Sequence, residues 1–339
     1  MDIEKKGFDI DLNKVISEVD GKEKSEVDGK RNEENINTLR NQSPSSIARI
    51  FAYVSKKSPE RVLIVPIGFP NAGKSMFLSS LVYHARTTEL IFTEESTEPF
   101  THTKVLTDKW VKSLGESKWV SPTRVGDISL LGLKLAPSWT KGKYDNKKNP
   151  YEIKLALLDL AGEDIEKIKV SNNHEFSERI DAIFKGMNVF KTQTIFVLLT
   201  PYNNVGDVDN DVFHKNEDTL MYDFLNYIKE NEPDIHKNAQ YLILVSKWSD
   251  CKNPEAEVPE FLKENRPQLY NIINGANVQY SNYSVGDILN TRVNGVLHSE
   301  IINLEYESPR KIWKKLYNYC TDRDLEHKSI FSKMFNFLT

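Results

Sequence analysis

The chain has 339 residues, 39% of them hydrophobic and 28% charged, enough apolar content for one large domain with polar extensions. A net charge of −4 gives no global attraction to nucleic acid, and two widely separated cysteines, Cys251 and Cys320, exclude a disulfide framework or a structural zinc site. No apolar run reaches the roughly 20 residues of a membrane-spanning helix and no basic-then-apolar leader is visible, so a soluble, cytoplasmic protein that does not engage nucleic acid is expected.

Residues 1–45 carry an imperfect tandem repeat, SEVDGK at 17–22 and again at 25–30, among Lys, Glu and Asn. Such a segment buries too little apolar surface to offset its ordering entropy, and a disordered polar tail is expected. Ile47, Ile50, Phe51 and Val54 then recur at helical spacing. From Arg61 the texture changes. RVLIVPIG is a nearly continuous apolar run, as a strand covered on both faces requires, and it enters GFPNAGKS and then the helical pattern MFLSSLVYH.

Asp127–Leu135 and Tyr151–Leu158 have strand character, and the turn formers TKGKYDNKKNP lie between them, which predicts an antiparallel hairpin. A helix is expected around Phe176–Phe190, then the strand TIFVLLT, a helix over Asn216–Lys229 and the strand YLILVS. A helix over Val258–Asn271 and a short strand near Asn277–Tyr280 follow. Strands alternating with helices predict an α/β fold of the P-loop NTPase type. Its sheet is mostly parallel, with one antiparallel edge hairpin and helices on both faces. From Pro309 two helical pieces are expected. Ile312, Trp313, Leu316, Tyr317 and Cys320 face one way in the first; Ile330, Phe331, Met334, Phe335 and Leu338 do so in the second. The implied organisation is a tail over 1–45, a nucleotide-binding domain over 46–297 and a helical extension over 298–339. The extension is expected to pack on the domain; its mixed lysines and aromatics make an acidic membrane surface the alternative.

Gly68-Phe69-Pro70-Asn71-Ala72-Gly73-Lys74-Ser75 fits G-x-x-x-x-G-K-[ST]. Glycines let backbone N–H groups curl around phosphates, and the helix that follows points its positive end at the same anion. Gly68, Asn71, Ala72, Gly73, Lys74, Ser75 and Met76 are therefore candidate nucleotide contacts. Lys74 would reach the outer phosphates and Ser75 would bind Mg2+. LALLDLAGE places Asp159 at the end of an apolar strand as the second magnesium contact, with Gly162 offering its N–H to the γ-phosphate. Thr123, in SPTRVGD, is the first candidate for a threonine closing over the metal, and Thr101 and Thr103 are alternatives.

Ser246-Lys247-Trp248-Ser249-Asp250 follows the strand YLILV. With these motifs in this order over roughly 61–286, the chain resembles the translation-factor (TRAFAC) class of GTPases. Its P-loop is similar to that of the Era and TrmE branch, GxPNxGKS. Through DLAGE, SKWSD and WVSPTR the layout also resembles the double-GTPase families of bacterial conflict and signalling systems. The resemblance implies a GTP/GDP switch signalling to a protein partner, with dimerisation left open. Lys247 would lie over the guanine and Asp250 accept from it. Ser246 stands where the class carries Asn or Thr, Asp250 falls one place late, and Ser284 is the nearest match to the last base motif. The resemblance further implies that Asn71 coordinates K+ and that Glu163 occupies the position orienting the attacking water, with slow turnover without a partner. A P-loop ATPase and a nucleotide-binding scaffold without turnover are the alternatives.

Overall fold

In a computed structural model of the chain, the described residues are 39, 42–69, 72–88, 90–121, 123, 127–144, 148–160, 174–189, 191–202, 210–247, 258–274, 277–293 and 296–326. The tail, apart from Leu39 and a few residues before 45, and the second C-terminal helical piece lie outside them. The first described helix, α1 (Pro44–Lys57), starts where Ser43 caps it, its hydroxyl accepting from the Ser46 N–H, with Pro44 in the first turn. Lys56 and Lys57 close its last turn, where the helix dipole favours cations.

β1 (Val62–Ile67) is buried at every position and lies at the centre of a seven-stranded sheet. α2 (Lys74–Thr87) follows the glycine loop. The next segments are β2 (Ile91–Glu94), α3 (Thr103–Gly115), β3 (Ile128–Ala136) and β4 (Ile153–Leu160). Then come α4 (His174–Asn188), β5 (Gln193–Pro201), α5 (Asn210–Asn231), the short α6 (Pro233–Asn238) and β6 (Gln240–Ser246). α7 (Val258–Asn265), α8 (Pro267–Ile272) and β7 (Val278–Asn282) complete the sheet's supply of elements.

The strand order is β2-β3-β4-β1-β5-β6-β7. β4, β1, β5, β6 and β7 pair in parallel, while β3 is antiparallel to both β4 and β2. This is the expected P-loop NTPase architecture, with one refinement. The predicted hairpin is β3–β4, but β2 adds a further strand outside it. β2 and α3 occupy the stretch between α2 and β3, to which the sequence reading assigned no element.

Side chains of β1 alternate between two cores. Leu63, Val65 and Ile67 join α1, α4, α5, α7 and α8 on one face, and Val62 and Ile64 join α2 and α3 on the other. Pro66 sits inside this central strand, where a missing N–H is normally avoided. The ladder to β4 stops at Ile64, two residues earlier, while the ladder to β5 continues through Pro66↔Val197 to Ile67. β1 and β4 are thus not paired with each other at their C-terminal ends, beside the glycine loop.

After β7 the chain forms a separate antiparallel pair, β8 (Gly286–Val293) and β9 (Val296–Leu304). β9 runs across position 297/298, where the sequence suggested a division. α9 (Glu307–Thr321) then buries Ile312, Trp313, Leu316 and Tyr317 in the second core. The Trp313 indole donates to Leu81 O (2.9 Å) on α2, so this helix's apolar face is spent on its own fold. Among the described residues no helix is long and apolar enough to cross a membrane.

Candidate nucleotide site

Parallel pairing brings the C-terminal ends of β1, β4, β5, β6 and β7 to one edge of the sheet, and the chain leaves β1 there with neighbours on both sides. Such an edge is where open α/β sheets bind ligands. Two glycines shape the loop. At Gly68 a Cβ would lie 2.7 Å from Leu199 O and 2.9 Å from the Ala72 Cβ, so only glycine lets β1 turn this close to β5. Gly73 has φ +92, in the left-handed region, and is the N-cap of α2.

Lys74 opens α2 and is 7% exposed. Its ammonium donates to Gly68 O (2.8 Å) and Phe69 O (3.0 Å), curled back over the loop's own carbonyls. Next to it, Ser75 Oγ lies 3.1 Å from Thr123 Oγ1. The Thr123 hydroxyl in turn donates to Asp159 Oδ2 in a short hydrogen bond. Asp159 is 3% exposed and its other oxygen, Oδ1, has no partner among the described residues. Burial pushes its carboxyl up to about 6, against the opposing pull of the Thr123 hydrogen bond and the Lys74 charge.

Three side chains far apart in sequence therefore share one small volume beside the phosphate loop. They offer oxygen donors only, with a single carboxylate. That set suits Mg2+, which binds one or two carboxylates and takes further ligands from phosphate and water. The unpartnered Oδ1 is consistent with a ligand not supplied by the chain. Of the alternative threonines, Thr103 is 1% exposed and accepts from the Gly132 N–H (3.1 Å) at the start of α3, while Thr101 lies in the preceding turn. Only Thr123 meets Ser75 and Asp159.

The approach to Thr123 is held on two sides. The Met76 thioether accepts from the Val120 N–H (3.4 Å), and Ser117 O accepts from the Ile301 N–H of β9 (3.1 Å). Ser246 Oγ donates to Ala72 O (2.9 Å), tying the end of β6 to the glycine loop. Lys247 follows with φ +56, a left-handed conformation costly for a residue with a Cβ. Ser284 lies in the turn after β7, its hydroxyl accepting from the Gly286 N–H (3.0 Å) and its N–H donating to Ser308 Oγ (3.3 Å). Asn71, Gly162, Glu163 and Asp250 lie outside the described residues.

Sequence reasoning missed a charged cluster behind the loop. Glu217 of α5 and Arg266, between α7 and α8, are both buried there. The one signal was that Glu217 falls on the apolar stripe of its helix, three, four and seven residues before Leu220, Met221 and Phe224.

No protein-family model and no curated protein matches the chain. Among solved structures, the chain is similar to the crystal structure of the S. cerevisiae Ski7 GTPase-like domain bound to GTP, at 14% identity and a TM-score of 0.36. The alignment covers 78% of this chain and 50% of that one, so the chain spans half the length of that domain. A likeness at this level carries no argument about activity.

Proposed function

We propose that the chain is a GTP-binding regulatory switch that binds GTP with Mg2+, hydrolyses it slowly and signals the bound state to a protein partner. The observation that carries this reading is the convergence of Ser75, Thr123 and Asp159 beside Lys74 at the mouth of the glycine loop. Lys74 would exchange the carbonyls of Gly68 and Phe69 for phosphate oxygens. Gly73 and the first turn of α2 would supply N–H groups to the same anion. Ser75, Thr123 and Asp159 would hold Mg2+, which neutralises phosphate charge when bound.

The switch character follows from the position of Thr123. It lies on a segment tied to β9 through Ser117 and to α2 through Val120, so ordering it around a triphosphate would alter a surface away from the site. Lys247 and Asp250 would recognise guanine, with Ser246 in the role of the residue that anchors the base loop. Asn71 is proposed to bind K+ and Glu163 to orient water. That assignment predicts faster hydrolysis in potassium than in sodium, and equal rates in both salts would count against it.

The direct test is a titration with fluorescent GTP in Mg2+ and in EDTA, on the wild-type chain and on Lys74→Ala. The expected result is Mg2+-dependent binding that Lys74→Ala loses; retained affinity in that variant would refute the placement of the phosphates.

A further inference from the structure

Glu217 is 1% exposed, and neither carboxylate oxygen has a hydrogen-bond partner among the described residues. Its surroundings do contain donors, but those are committed elsewhere. Arg266, 0% exposed, donates to Thr200 Oγ1 (2.7 Å), Pro201 O (3.2 Å) and Asn265 O (2.8 Å), and is 2.6 Å from His214 Nδ1. Asp218, the next residue, accepts from the N–H groups of Gln268 (3.0 Å) and Leu269 (2.8 Å) at the start of α8. The charges that face Glu217 are Arg266, Lys74 and Lys247, from three different segments, and the Thr200 hydroxyl lies nearby short of hydrogen-bond geometry. Lys74 and Lys247 are the two lysines assigned above to phosphate and base.

A buried carboxylate without hydrogen bonds is held ionised only by the positive field around it. Here burial pushes Glu217 up to about 7, and Arg266, Lys74, the nearby Thr200 hydroxyl and Lys247 restrain the rise. Part of that field is therefore on loan from the phosphate site.

We propose that Glu217 is a positioning residue of the nucleotide site that takes up a proton when a triphosphate occupies the glycine loop. The inference rests on the nucleotide-binding reading. Phosphates that engage Lys74 cancel its field at Glu217, so the neutral carboxyl becomes the favoured form. The proton comes from the buffer to one Glu217 oxygen, and no other bond changes. By linkage the effect is reciprocal. An ionised Glu217 holds the two lysines by attraction and opposes the incoming negative charge, so affinity falls as pH rises through neutrality. A neutral Glu217 leaves the lysines to the ligand.

The test is calorimetric titration of the full chain with a non-hydrolysable GTP analogue and Mg2+ in two buffers of different ionisation enthalpy, across pH 6.5 to 8.5, for wild type and Glu217→Gln. The nucleotide's own titration is common to both proteins and cancels in the difference. Wild type should take up a larger fraction of a proton than Glu217→Gln. If the phosphates raise the carboxyl by about one unit, its affinity should fall up to about tenfold more over that range. Infrared difference spectra should show a neutral carboxyl C=O band on binding that the variant lacks, which a merely structural role would not produce. Equal proton counts with parallel affinity curves would overturn the proposal. Should Glu217→Gln fail to fold, Glu217→Met, neutral and of similar length, serves the same comparison. Absence of binding by the wild-type chain would instead remove the nucleotide reading and this inference with it.

Discussion

Two threonines separate structure from function at the level of single side chains. Thr103 Oγ1 satisfies the Gly132 N–H inside the fold, so Thr103→Ala should cost about 1–2 kcal/mol of stability and leave nucleotide affinity alone. Among the described residues, Thr123 bonds only within the candidate metal triangle. Thr123→Ala should keep the melting temperature near wild type and lose most of the Mg2+-dependent gain in GTP affinity; the reverse pattern would exchange their roles. Glu217 makes a further prediction about the empty protein. Its carboxyl is raised from 4.5 to about 7 by burial, so the folded state holds a proton that the unfolded chain has released. Its contribution is fully present below about pH 4.5 and is lost as pH rises through 7. Relative to wild type, Glu217→Gln should therefore gain stability between pH 5 and 8, on the order of 3 kcal/mol at most, in urea unfolding curves. An unchanging difference would mean that Glu217 does not titrate there. Thr123 was a candidate from sequence, but the Glu217 cluster was not legible from motifs: the glycine loop announces itself by spacing, whereas Glu217 and Arg266 become a cluster only when α5 and the α7–α8 junction meet at the sheet edge.

At the scale of elements, the periodic and fully buried ones were legible and the half-exposed ones were not. β1, β5 and β6 are continuous apolar runs, and the structure gives them within a residue or two of expectation. β8 and β9 mix polar and charged residues with apolar ones and form a two-stranded sheet apart from the main one, with a single bridge from Glu300 to Lys118, so no run marks them. The expected helix over 258–271 breaks into α7 and α8 at Arg266, which has φ −141 and ψ 53 because Pro267 disfavours helical backbone in the residue before it. That break lets Arg266 point into the core. Helix contacts supply two tests. Gly186 of α4 lies against α1, where a Cβ would meet Ala48 O at 2.4 Å and the Phe51 Cβ at 2.9 Å. Gly→Ala in a helix ordinarily gains up to about 1 kcal/mol, but forcing two packed helices apart costs about 1–3 kcal/mol. Gly186→Ala should therefore destabilise the chain in urea unfolding. Trp313 is fully buried and bonded to Leu81 O. Trp313→Ala should cost about 3–5 kcal/mol by the same measurement, and a near-neutral result would mean that α9 is not part of the cooperative unit.

Across the whole molecule, the sheet order explains why widely separated motifs lie at one edge. The glycine loop, Asp159, Lys247 and Ser284 each follow or end a parallel strand, so one edge collects them all. That much follows from strand alternation and parallel connections, which is why the fold class, and the sheet edge to which the glycine loop belongs, could be read from sequence. The base end could not be read with the same sharpness, because Ser246 and the late Asp250 depart from the pattern that specifies guanine. Ser246 nonetheless ties the end of β6 to Ala72 of the glycine loop. The central claim is that this edge is a guanine nucleotide site, and competition binding tests it most directly: fluorescent GTP in Mg2+ buffer displaced by unlabelled GTP, GDP or ATP. The account predicts displacement by GTP and GDP at concentrations at least about tenfold below those needed for ATP, a difference of about 1.4 kcal/mol. Equal or stronger displacement by ATP would contradict it and leave a P-loop ATPase in its place.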